Sequence, residues 1–150
     1  MLTLTERPAH LTPSSFKKIM TNGRGSNSFG KTALSHVDEV VMKLLGVEED
    51  DFTTYDMQWG IDNEPFAIEA YQDAKIVEVH SRNERFNHPE HDFISGEVDG
   101  LVGEDGGVEI KCPKSNNHLS NLTEAAQLPL YMYQIQGYMW ITGRKWWDFV

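Results

Sequence analysis

Asp99, Glu109 and Lys111 are the residues of this chain whose types and spacing could do chemistry together. They lie on two short apolar runs, 96–102 and 108–113, separated by five residues that include Gly103, Gly106 and Gly107. That layout predicts a β-hairpin with a longer loop. If Val102 faces Val108, then Leu101 faces Glu109 and Asp99 faces Lys111. All three charged side chains then project from one side of the ribbon. Carboxylates and an ammonium on the core side of a strand pair are costly to bury without a compensating ion. A divalent cation offsets that cost, and hard oxygen ligands suit Mg²⁺ or Mn²⁺. The bland alternative is a surface hairpin with ordinary charges.

Other elements must place partners around this hairpin. A helix is predicted over 130–141, with Tyr131, Gln134 and Tyr138 on one face. Gln134 is polar within that apolar pattern, and its plain reading is a core amide satisfying itself. A second helix is predicted over 57–74, where Gly60, Glu64, Ala67 and Tyr71 share a face. Gly and Ala there allow close approach to a sheet, so Glu64 would point at what the sheet carries. Without the hairpin, Glu64 reads as an exposed helix glutamate. Pro65 predicts either a kink or a helix start, with 59–64 as an earlier turn.

Around these lie simpler signals. Residues 76–80 and 145–150 read as strands, the latter apolar and ending without a polar stop. Thr12 and Ser14 precede Phe16, Ile19 and Met20 at helical spacing, a hydroxyl-capped start for a helix ending near Asn22-Gly23. Ala33, Leu34, Val37, Val40, Val41, Leu44 and Leu45 predict a helix ending at Gly46 whose apolar stripe is core, with His36 needing no functional role. The segment 82–92 reads as a polar loop, with His88 and His91 in a solvated turn. Gly25 to Thr32 formally matches the phosphate-loop pattern. That motif needs a buried strand just before it, and the preceding residues read as an amphipathic helix and a polar turn.

With 150 residues, the chain fits one domain with a single core. A net charge of −10 disfavours a general nucleic-acid coating protein, although metal-holding carboxylates contribute to it. The one cysteine, Cys112, excludes a disulfide framework and any zinc or iron–sulfur site built on cysteines. No apolar run is long enough to span a bilayer, and the first residues lack a signal-peptide layout, which predicts a cytoplasmic chain.

Asp, a turn, then Glu-x-Lys is the signature of the PD-(D/E)xK nucleases, and further motifs narrow the likeness. Leu11-Thr12-Pro13-Ser14 is similar to a Thr-x-Ser helix start, with Arg7 seven residues before Ser14. Trp59-Gly60-x-x-x-Glu64-x-x-Ala67, Asp99-Gly100-Leu101 and Glu109-Ile110-Lys111-Cys112-Pro113 follow in order. Tyr131-x-x-Gln134-x-Gln136-x-x-Met139-Trp140-x-Thr142 completes the series. Together they resemble the phage lambda exonuclease family of viral recombination nucleases. The resemblance implies an α/β fold of restriction-endonuclease type, a central mixed β-sheet flanked by helices. It implies Mg²⁺- or Mn²⁺-dependent 5′ to 3′ digestion of duplex DNA from its ends in phage-type recombination. Asp99, Glu109, the Ile110 carbonyl and Glu64 would hold metal, and Lys111 would orient a water. Gln134 and Tyr131 would position the nucleophile side or the Lys111 ammonium. Arg7 and Ser14 would anchor a 5′-phosphate. A single-strand annealing protein and a homo-oligomer, a trimer in the family, are the implied partners. A non-catalytic DNA-binding or assembly protein on the same fold is the alternative, and a phosphate-loop NTPase a weaker one.

Two departures stand out. Glu97-Val98-Asp99 replaces the family's Ser-x-Asp, putting a negative charge where a serine would touch phosphate. The family also continues with a strand and helix beyond the segment matching 146–150. Residues 1–150 are therefore expected to be a catalytic core that relies on further chain or a partner to cover that apolar strand, and the toroidal trimer is not carried over.

Overall fold

The computed structural model describes residues 11–23, 28–47, 53–114 and 128–150. A 3-10 turn at Pro13–Ser15 runs into α1 (Phe16–Ile19), followed by α2 (Lys31–Leu44) and α3 (Tyr55–Lys75). Then come β1 (Val79–His80), β2 (Glu84–Asn87), β3 (Ser95–Val98), β4 (Gly100–Val102) and β5 (Gly106–Glu109). Helix α4 (Leu128–Thr142) and β6 (Trp146–Phe149) complete the described chain. The main sheet has the order β1-β4-β5-β6, antiparallel except for the parallel β5–β6 pair, while β2 and β3 form a separate antiparallel ribbon. Ile68 and Tyr71 of α3 pack with Val79, Val102, Val108 and Ile110 on one face of the sheet. Tyr138 of α4 packs with Val98 and Leu101 on the other. This is a central mixed sheet flanked by helices.

The hairpin is tighter than the sequence suggests. Gly100 pairs with Val108 and Val102 with Gly106, so the turn is 103–105, with Gly103 at φ 54°. Gly106 and Gly107 are not loop residues. They lie in β5, where a Cβ at Gly106 would meet the ring of Trp146 and one at Gly107 the ring of Trp147 on β6. The Arg144 guanidinium pins the turn by donating to the Gly103 carbonyl at 2.7 Å and the Gly106 carbonyl at 2.9 Å. The register differs from the expected one by two residues, and side chains alternate with period two, so every side chain keeps its face.

Helix α3 runs unbroken through Pro65, which removes the option of a start there. Its first turn is capped by Thr54 Oγ1, which accepts from the Met57 N–H at 3.2 Å. Its end corrects the expected strand at 76–80. Ile76 is the helix cap in the left-handed region (φ 56°, ψ 50°), and pairing begins only at Val79. A β-branched residue in that conformation costs about 1–2 kcal/mol. Its side chain is 92% exposed, so packing returns nothing. Ile76→Gly is therefore expected to raise Tm by about 2–4 °C in a thermal melt. An unchanged or lower Tm would refute the strain.

Four other expectations are corrected. The apolar stripe of α2 is not core: Ala33 is buried, but Leu34, Val37, Val41 and Leu44 are exposed. The helix packs chiefly on α1, whose single turn is too short to cover it. The polar segment 82–92 contains β2, whose residues pair with β3. His88 is buried rather than solvated. Its ring stands 4.1 Å from that of Trp140 and 4.7 Å from that of His91, and its Nδ1 accepts the backbone N–H groups of Glu90 and His91. Near the start, Ser15 Oγ donates to the Thr12 carbonyl at 2.7 Å, while the Thr12 hydroxyl makes no capping bond.

Candidate active site

Continuing the β4–β5 ladder by one step sets Asp99 beside Glu109 rather than Lys111. The Ile110 N–H donates to Asp99 Oδ2 at 2.6 Å, tying the carboxylate to the strand that carries its partner. Ile110 turns its side chain into the α3-side core. Glu109, one residue earlier, therefore faces the α4 side. Beyond β5, the Lys111 N–H donates to the Val150 carbonyl at 2.7 Å and the Val150 N–H to the Glu109 carbonyl at 2.9 Å. The Glu-x-Lys segment is held by its neighbour strand through both residues.

Glu109 is fully buried. Its Oε1 receives the Lys111 ammonium and, at 2.7 Å, the Gln134 side-chain amide. Its Oε2 is buried with no hydrogen-bond partner among the described residues. Gln134 is thus not a self-satisfied core amide; it holds Glu109, and its Nε2 also reaches the Tyr138 hydroxyl at 3.2 Å. Tyr131 meets Lys111 instead, with the ammonium 5.2 Å from its ring centroid, and stacks on Phe149 at 5.0 Å. Tyr138 is the partner that sequence reasoning left without a role, although it lies one turn beyond Gln134. Across the site, Lys114 pairs with Asp56 and stands 4.1 Å from the Tyr55 ring, joining the segment after β5 to the start of α3.

The electrostatics are those of crowded, desolvated acids. Burial and then the Asp99 charge push Glu109 up to about 7, against the pull of Lys111. Burial also raises Asp99, opposed by its Ile110 bond and by Lys111. Glu64, half-buried on α3, is raised by burial and then by Asp99, with Arg82 and Lys111 opposing. The paired Lys111 ammonium is held above the usual lysine range by Glu109 and Asp99, although burial works the other way. Acids pushed up together in one place are the signature of a site short of positive charge.

That shortage is the test of a metal. Among the described residues no three His, Cys, Asp or Glu side chains converge closely enough to cage an ion by themselves. The donor set nevertheless fits a hard divalent cation served by few side chains: two neighbouring carboxylates, one of them with an oxygen that has no hydrogen-bond partner among the described residues.

The remaining candidates stand apart. Ser14 is exposed, and its hydroxyl meets that of Thr12 at 2.9 Å rather than the carboxylates. Arg7 lies outside the described residues. In the phosphate-loop match, residues 25–27 also lie outside them, while Lys31 and Thr32 open α2 behind Gly30. Helix α1 and the Asn22–Phe29 bridge precede it, not a buried strand.

A family profile described as YqaJ-like viral recombinase domain matches residues 4–145. The chain belongs to that family. The solved alkaline exonuclease of Laribacter hongkongensis is similar to this family member with 30% identity and a TM-score of 0.81, over 96% of this chain and 69% of that one. The same exonuclease in complex with dAMP gives 29% and 0.81, over 95% and 69%. A phage-related exonuclease from Haemophilus somnus 129PT gives 25% and 0.76, over 94% and 67%. Among curated proteins none matches significantly. As a YqaJ-like domain related to phage-type exonucleases, the chain shares their fold across nearly all its length. No described helix is long and apolar enough to cross a membrane.

Proposed function

We propose that this YqaJ-like domain is a divalent-metal-dependent exonuclease that hydrolyses duplex DNA from its ends, 5′ to 3′, in phage-type recombination. The observation that carries the reading is Glu109: a fully buried carboxylate beside Asp99 and Lys111, with Oε2 unpartnered among the described residues. Asp99, Glu109 and the Ile110 carbonyl would hold Mg²⁺ or Mn²⁺, and Glu64 would complete the set. When bound, the cation supplies Lewis-acid polarisation of the scissile phosphate and acidifies a water.

The chain's own residues do the rest. The Lys111 Nζ, held at Glu109 Oε1 and over Tyr131, orients the attacking water and stabilises its deprotonated form. Gln134 keeps the Glu109 carboxylate in place, and Tyr138 braces Gln134 from below. Arg7 and Ser14 anchor the terminal 5′-phosphate, and an anchored end decides which bond lies over the carboxylates.

Digestion of end-labelled duplexes tests this. Mononucleotides are expected with Mg²⁺ and none with EDTA. Duplexes bearing a 5′-phosphate should be cut faster than those bearing a 5′-hydroxyl. Equal rates would remove the phosphate anchor, and cleavage in EDTA would remove the metal.

A further inference from the structure

Gly60 lies inside α3, one turn before Glu64 and on the same face. A Cβ built there would meet nothing within 4 Å among the described residues. Its φ is not in the left-handed region, so the backbone does not require glycine either. The other described glycines have a structural reason. Gly46, Gly103 and Gly143 have positive φ, and at the rest, such as Gly96, Gly100 and Gly137, a Cβ would press on neighbouring atoms. Glycine is among the poorest residues for a helix interior, because it leaves the backbone the most freedom to lose. A half-buried helix position that forgoes a side chain, with no reason for it among the described residues, leaves room for something else to come close. The expected close approach to the sheet is not the cause: Ala67 and Tyr71 contact that core, whereas a Cβ at Gly60, one turn before Glu64, would meet no described atom.

We infer that the DNA strand being cut seats against α3 at Gly60, where bare helix backbone lets its sugar–phosphate chain come within reach of Glu64, Asp99 and Glu109. This rests on the exonuclease reading and names the surface on which the substrate lies. Gly60 is a specificity-determining position: it fixes how closely a polymer can approach.

Gly60→Ala and Gly60→Leu test it by thermal melts, by binding of a fluorescent duplex in Ca²⁺ without turnover, and by steady-state digestion in Mg²⁺. Both variants are expected to melt at or above the wild-type Tm, since each improves helix propensity. Gly60→Leu should weaken duplex binding and raise KM by about tenfold or more, with Gly60→Ala between it and wild type. Binding and KM within twofold of wild type in Gly60→Leu would overturn the inference. So would a fall in Tm, which would mean that the space serves the chain itself. Wild-type protein that neither binds nor cuts duplex would overturn the exonuclease reading and this inference together. Wild type that cuts, with Gly60→Leu cutting equally well, would reject this inference alone.

Discussion

Lys111→Ala is expected to lower kcat for digestion of DNA ends by about 10³-fold or more, with metal binding and the fold retained. The ammonium contacts Glu109 Oε1, on the carboxylate proposed to hold the metal, and its side chain is 34% exposed, so its removal leaves no large cavity. Loss of a group that both places a proton acceptor and stabilises developing charge has effects of about 10²–10⁴. Asp99→Ala should be as severe, but by a different route. It removes a proposed ligand and the acceptor of the Ile110 N–H, so its metal affinity should fall as well. Calorimetric titration with Mn²⁺ separates the two. Hydrolysis by either folded variant at more than a few per cent of wild type would refute the assigned roles.

Metal-free protein is expected to lose stability as pH rises from about 5 to about 8. Glu109 is lifted from 4.5 to about 7 by burial and by Asp99. A carboxyl whose folded pKa lies above its unfolded one binds its proton more tightly when folded. Its contribution is full below the unfolded value and is lost as pH climbs through the folded value. Asp99 and Glu64 shift in the same direction. Lys111 is raised too, but its contribution is lost only in the alkaline range and leaves this window alone. For Glu109 the loss is on the order of 3 kcal/mol, at about 1.4 kcal/mol for each tenfold change in proton affinity. Glu109→Gln removes the buried charge while its amide oxygen can still accept from Gln134. In EDTA at pH 8 it should melt about 5 °C or more above wild type, yet be inactive. Mg²⁺ should raise the wild-type Tm at pH 8 and leave that of the variant unchanged. Flat wild-type melts in EDTA across this range would contradict the argument.

What could be read from the sequence depended on which periodicity each residue obeyed. Asp99, Glu109 and Lys111 were placed on one face because a register error of two preserves faces in a strand pair. Helix α4 and strand β6 announced themselves by their apolar pattern, and α3 by the helical spacing of Gly60, Glu64, Ala67 and Tyr71. The ribbon of β2 and β3 did not, since Glu84, Arg85 and Asn87 are exposed and show no apolar alternation. The stripe on α2 was legible as amphipathic, but spacing says only that a face is apolar, not that anything covers it. Ile76 misled because a β-branched residue argues for a strand and here caps a helix. His88 was hidden because Trp140, which buries it, is distant in sequence. The orphaned Oε2 of Glu109 could not be read at all, since it depends on what fails to arrive in three dimensions.

The rings of Trp146 and Trp147 occupy the volume that side chains at Gly106 and Gly107 would need. For the history of the sequence, this couples Gly107 to Trp147 and, less tightly, Gly106 to Trp146. A side chain at Gly107 must displace the half-buried Trp147 ring, and a smaller residue at Trp147 first opens a void, so either order passes through an impaired intermediate. Trp146 is exposed and its ring can swing aside, which leaves Gly106 the freer of the two glycines. A library that varies Gly107 alone should return mostly the parental residue, whereas one varying it together with Trp147 should recover paired solutions such as alanine opposite a smaller ring. The strand bearing Glu109 is thereby shielded from gradual change by the bulk of its neighbour rather than by any chemistry of its own.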